Sequence, residues 1–201
     1  MSSNPPSTIK AWDPLVRIFH WSLVFFFILA YLTEDNLKTL HIWAGYAVAL
    51  LIIFRLVWGM IGTRHARFSS FVRSPSIVLD YIRQMRHFNA PHYLGHNPAA
   101  GAMIIALLLS LIMVSITGMS IIAAEGQGPL AGTVAANPNA DWMEEIHEFF
   151  AHLTLLLVML HIAGVIFGSF LEGQNLPRAM LTGRKQYRDD YVDTPARETR
   201  S

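Results

Sequence analysis

The stretch His147-Glu-Phe-Phe-Ala-His152-Leu-Thr-Leu-Leu-Leu-Val-Met-Leu-His161 is an apolar run bracketed by two histidines fourteen residues apart. On an α-helix that interval is about four turns, so both imidazoles leave the same face, roughly 21 Å apart along the axis. Two more histidines, His20 and His41, lie on earlier hydrophobic segments. Ionisable residues inside a membrane are costly and mark function by default. Four of them at heights that pair up point to two metal centres stacked across a bilayer.

Composition supplies the membrane. Of 201 residues, 53% are hydrophobic and only 14% charged, against about 25% charged in a soluble domain. A formal net charge of +1 gives no reason to expect nucleic acid as a partner. The chain has no cysteine. That excludes disulfides, thiolate metal sites, iron–sulfur clusters and the thioether attachment of a c-type haem. Residues 1–10 are polar, rich in Pro and Ser, and lack a signal-peptide pattern, so the first helix is expected to be retained.

Four apolar stretches can cross about 30 Å of hydrocarbon, at 14–32, 40–61, 99–124 and 141–172, the last projecting beyond it. The expected fold is therefore an all-α integral membrane four-helix bundle, a single domain over residues 1–201. Asp13 before Pro14 reads as an N-cap, and Asp141 with Glu144 as a capping box. Between the second and third spans lie Arg64, Arg67, Arg73, Arg83 and Arg86 against Asp80. The tail carries Arg178, Arg184, Lys185, Arg188, Arg197 and Arg200. The opposite side holds Glu34, Asp35, Glu125, Asp141, Glu144 and Glu145, with Lys38 its one base. By the positive-inside rule both termini are cytoplasmic. Within the basic loop, Ile77, Val78, Tyr81, Ile82 and Met85 form a helical stripe after Ser74-Pro75, read as a short interfacial helix in the cytoplasmic loop. Residues 125–140 read as irregular, and the tail after Gly183 as polar and disordered.

Alternating span directions decide which histidines can meet. His20 and His161 both fall nearer the cytoplasmic face, and His41 and His147 nearer the outer one. Crossed pairs fail on distance, since His20 is about 18 Å below the outer end of its helix. Two imidazoles at each level fit bis-histidine ligation of haem better than four separate packing histidines. Arg55, fourteen residues after His41, shares its face at the inner level, and a buried arginine suits a bidentate acceptor such as a haem propionate. Arg17, one turn before His20, serves the same haem or snorkels to the interface. Gly45 and Gly164 stand beside ligands and either admit a flat macrocycle or let helices pack. His152 is five residues from His147, the wrong spacing for a zinc helix, and reads as a packing or hydrogen-bonding residue. His65, His87, His92 and His96 read as solvated or interfacial.

The chain resembles the bacterial four-helix b-type cytochromes (the b561 type), which include the membrane cytochrome subunit of nickel–iron hydrogenases. The resemblance rests on Trp12-Asp-Pro-Leu-Val-Arg-Ile-Phe-His20-Trp21, on His41-x3-Gly45-Tyr46 running into Arg55-Leu-Val-Trp-Gly59, and on Gly62-Thr-Arg-His-Ala-Arg-Phe68. It continues in Tyr93-Leu-Gly-His-Asn-Pro98, His147-Glu148, His161-x2-Gly164 and Arg178-Ala-Met-Leu-Thr-Gly-Arg-Lys185. It implies a bacterial inner-membrane electron carrier with two non-covalent b haems on His20, His41, His147 and His161. Such a carrier passes electrons between a redox partner and the quinone pool. Relatives serve hydrogenases, thiosulfate-type reductases and soluble c-type cytochromes, so the partner stays open.

Three other classes compete. A transporter needs a polar path with intramembrane carboxylates, and the spans carry almost none. A haem enzyme needs an open coordination position, which paired imidazoles close. A plain anchor for a peripheral enzyme leaves the histidines unexplained. The third span brings no histidine and is expected to close the bundle and help shape a quinone pocket.

Overall fold

The computed structural model describes residues 8–34, 36–133, 136, 140–186 and 191–192. In chain order these form β1 (Thr8–Lys10), α1 (Pro14–Thr33), α2 (Lys38–Ile61), α3 (Phe68–Phe71), α4 (Pro75–Arg86), β2 (His92–Tyr93), α5 (Pro98–Ala124), α6 (Ala140–Glu172), α7 (Leu176–Thr182), β3 (Arg184–Gln186) and β4 (Tyr191–Val192). Helices α1, α2, α5 and α6 are each long and apolar enough to cross a membrane, with mean hydropathies of 1.9, 2.0, 2.6 and 2.2. The protein is an all-α membrane protein with four spanning helices, whose bounds lie within two residues of those expected. Asp13 caps α1: its Oδ1 accepts the Leu15 amide at 2.7 Å, with Pro14 at the first helical position. The box expected from Asp141 falls on a side chain outside the described residues.

The chain divides into two compact units. The first draws on Met1–Ile18, Val57–Ile104 and Leu160–Ser201, the second on Phe19–Leu56 and Ile105–Met159.

In the second unit, segments of all four spans pack as a bundle. Val48 and Ile52 of α2 and Leu111 of α5 are buried, and Leu23, Phe26 and Phe27 of α1 pack against them. Thr154 of α6 is fully buried and shares a 2.7 Å hydrogen bond with Ser110 of α5. Lipid tails are as apolar as leucine, so burial of apolar surface does not drive these contacts. Close packing and interhelical hydrogen bonds, averaging about 0.6 kcal/mol each, hold them. Phe25, Leu50, Ile53 and Phe149 point outward and are exposed, as a lipid-facing surface requires.

In the first unit, α4 begins where expected, with Ser74 extended and Pro75 in the first turn. Its apolar stripe splits. Tyr81 is buried and Val78 and Met85 half-buried, whereas Ile77 and Ile82 stay exposed. An inward row and an outward row suit a helix at the headgroup boundary. Burial pushes the Tyr81 phenol above its ordinary range, and Glu172 and Tyr93 add to the effect.

The tail departs from expectation. Residues 184–186 are a strand, antiparallel to β1 with Ile9 opposite Lys185. The Lys185 Nζ is buried, 3.2 Å from Glu172 Oε2 and 3.3 Å from the Tyr93 carbonyl it donates to. A distal carboxylate at the end of α6 is what draws this lysine inward. Just before it, Gly183 ends α7 in the left-handed conformation at φ 80. A Cβ there would also lie 3.2 Å from the Trp12 carbonyl oxygen, so glycine is required twice over. Residues 187–190 and 193–201, with Arg188, Arg197 and Arg200, lie outside the described residues. Of the two settings expected for His96, solvated or interfacial, its ring contacts fit the second: it is half-buried, 4.5 Å from the Trp12 ring and 4.8 Å from that of Phe71.

Candidate haem site

Within the second unit, α2 and α6 bring the rings of His41 and His147 together. Their ring centroids are 6.1 Å apart, with planes inclined at 79°. A metal–imidazole bond is about 2.0–2.1 Å and a ring nitrogen lies about 1.1 Å from its ring centre, so one metal between two imidazoles separates their centres by roughly 6.3 Å. The observed spacing is that of two imidazoles that could hold one metal ion between them.

The tautomers fit as well. His41 Nδ1 lies 2.9 Å from the Ala30 carbonyl oxygen. His147 Nδ1 lies 3.0 Å from the Val114 carbonyl oxygen. A carbonyl accepts only, so each Nδ1 must carry the proton and donate it. Each Nε2 is then left with its lone pair, the form a metal needs.

The rings open on a cavity of about 340 Å³ whose wall includes Phe27, Val48, Leu111 and Ile122. Gly45 is part of that wall, and a Cβ at Gly45 would meet nothing within 4 Å. A flat macrocycle can approach the backbone there. Gly118 makes room for the ligand itself, since a Cβ on it would come within 2.9 Å of His147 Cε1. Glu34, Lys38, Glu125 and Glu144 also line the cavity, and Lys38 Nζ binds both Glu125 oxygens at 2.7 and 2.9 Å. A wall of apolar side chains and two convergent imidazoles match the apolar faces and nitrogen-binding iron of haem b. Of the charged margin only Lys38 suits its anionic propionates.

The remaining candidates lie elsewhere. His20 belongs to the second unit and His161 to the first, each half-buried. His20 meets the edge of Trp21 at 5.1 Å. Arg55 is 3% exposed on α2. Arg17 donates Nε to the Met180 carbonyl at 3.2 Å and an Nη to the Leu181 carbonyl, closing the end of α7. A Cβ at Gly164 would meet nothing within 4 Å. His152 hydrogen-bonds the Glu148 carbonyl at 2.9 Å through Nδ1 and is turned from the pair.

Sequence reasoning missed the contribution of α5. It supplies the Val114 carbonyl, the Gly118 gap and the Thr117 hydroxyl, 3.1 Å from His147 Nδ1. The one signal available was the run of hydroxyls at Ser110, Ser115, Thr117 and Ser120 in an otherwise apolar span.

Similar proteins agree with this chemistry. A protein of Bradyrhizobium diazoefficiens named probable Ni/Fe-hydrogenase B-type cytochrome subunit is 25% identical, over 90% of this chain and 87% of its own. One of the same name from Rhizobium leguminosarum bv. viciae is 23% identical over 90% of each chain. Another, from Rhodobacter capsulatus, is 20% identical over 93% of this chain and 85% of its own. Residues 11–183 match the family described as prokaryotic cytochrome b561, and the chain belongs to that family.

Proposed function

We propose that this membrane b-type cytochrome carries two b haems and passes electrons between a redox partner and the quinone pool. His41 and His147 hold the outer haem, and His20 and His161 the inner one. When bound, haem b supplies one-electron transfer by cycling its iron between two oxidation states. The observation that carries the reading is the 6.1 Å pair with both Nδ1 atoms committed to backbone carbonyls. Two imidazoles on one iron would leave no open position for oxygen or substrate, which suits a carrier rather than a site of catalysis. Phe27, Val48 and Leu111 give the outer cavity an apolar wall.

The inner pair rests on sequence position: fourteen residues separate His147 from His161 along α6, and His20 sits early on α1. Arg55, charged and buried, is suited to a propionate at that level. Arg17, with two donors already on α7, has its remaining Nη as the group to offer. The names of the relatives support a nickel–iron hydrogenase as the redox partner. The arginine-rich segments support a bacterial inner membrane with both termini cytoplasmic.

The test is haem quantification by pyridine assay, with the low-spin ferric resonance signals telling the two haems apart, on the purified protein and on four single variants. Wild type should hold two b haems. His41→Ala and His147→Ala should each lose the same haem, and His20→Ala and His161→Ala the other. If His41→Ala and His20→Ala removed the same haem, the pairing would be wrong. A colourless wild-type protein, reconstituted with excess haem, would overturn the reading as a whole.

A further inference from the structure

We propose that Thr117 of α5 is a positioning residue that lowers the reduction potential of the outer haem by sharing the Nδ1 proton of His147. The proposal rests on His147 being an axial ligand, as inferred above. Thr117 is 2% exposed in the second unit. Its Oγ1 lies 2.7 Å from the Met113 carbonyl oxygen, 3.1 Å from that of Val114, and 3.1 Å from His147 Nδ1. A hydroxyl has one proton and two lone pairs. The Met113 carbonyl, the nearest acceptor, takes the proton, so a lone pair faces the imidazole. Nδ1–H therefore divides its donation between the Val114 carbonyl and the Thr117 oxygen.

The two axial ligands are thus unequal. Among the described residues His41 donates to one carbonyl, that of Ala30. His147 donates to two oxygens, and the second belongs to a hydroxyl already polarised by giving its own proton away. Acceptors on the outer nitrogen of a ligating histidine raise the basicity of the inner one. A more basic axial nitrogen stabilises ferric over ferrous iron. The same two contacts restrain rotation of the ring about its bond to the metal.

The test compares Thr117→Val, which keeps the branched shape and loses the oxygen, with Thr117→Ser, which keeps the oxygen and loses the methyl. Both are purified as full chains with haem bound, and each haem is followed by spectroelectrochemical titration and by the low-spin ferric resonance signal. The haem that His147→Ala lacks identifies the outer signal. Thr117→Val should move that midpoint potential upward and alter that resonance signal, leaving the other haem unchanged, while Thr117→Ser should stay at wild-type values. Loss of the outer haem in Thr117→Val with retention in Thr117→Ser also supports the oxygen's role. Unchanged potentials in Thr117→Val, or equal effects in both variants, would overturn the proposal. If His147→Ala kept both haems, the ligand assignment itself would have failed instead.

Discussion

Replacing Gly118 by alanine puts a methyl group where the His147 imidazole now lies. The added carbon would stand 2.9 Å from Cε1 and 3.3 Å from Nδ1. Ordinary contact begins near 3.4 Å, so the ring must retreat by about 0.5 Å. It cannot do so freely, because its Nδ1 is tied to Val114 and Thr117 on the same helix that bears the new methyl. Overpacking of this kind costs about 1–3 kcal/mol. It also spoils the separation of the two imidazoles. Gly45→Ala is the control for the protein alone, since its methyl would meet nothing within 4 Å. Loss of haem there would come from the macrocycle. The assay is thermal unfolding of the haem-free protein in detergent, with haem content measured on the reconstituted form. Gly118→Ala should unfold at lower temperature and bind the outer haem poorly, whereas Gly45→Ala should unfold at or slightly above the wild-type temperature, alanine being the better helix former. A Gly118→Ala protein with wild-type unfolding and full haem content would refute this account of the His147 clamp.

Two further outcomes follow from the first unit. Removing one member of the buried Glu172–Lys185 pair strands the other charge, at a cost of about 3–5 kcal/mol. Lys185→Ala should therefore lose much of its thermal stability, and more than Arg184→Ala, whose side chain is exposed. Equal effects would show that the pair is dispensable. Burial raises the Tyr81 phenol above its ordinary value of 10.0. The unfolded chain gives up that proton first, so stability from this group is intact below pH of about 10 and falls as pH rises beyond it. Tyr81→Phe should blunt the loss of stability in alkali, followed by circular dichroism, and an unchanged alkaline profile would count against it.

The four spans were legible because a helix in lipid must be apolar along its whole length, and Asp13-Pro14 names its own starting point. The meeting of His41 and His147 was legible because the second and fourth spans run the same way, so residues near their starts lie at equal depth. What holds those rings was not. The Ala30 and Val114 carbonyls belong to the backbone and leave no mark in the residue alphabet. Thr117 reads as one more small residue of a packed span until its neighbour across the bundle is known. Lys185 escaped for a related reason. In a run of Arg, Lys, Gln and Asp it looks solvated, and only its partner thirteen residues back, at the end of α6, makes it an interior group. The split stripe of α4 shows a third limit: helical period identifies an apolar face but not how much of it the protein covers.

The pairing of β1 with β3 joins residue 8 to residue 186. That ladder can zip only if the two segments emerge on one side of the bilayer, which an even number of crossings guarantees and an odd number forbids. It also sets an order of events during synthesis. The opening segment must wait, undocked, until the ribosome has delivered the last crossing and the strand beyond it. A chain that leaves one helix uncrossed has these two strands on opposite sides, unable to zip.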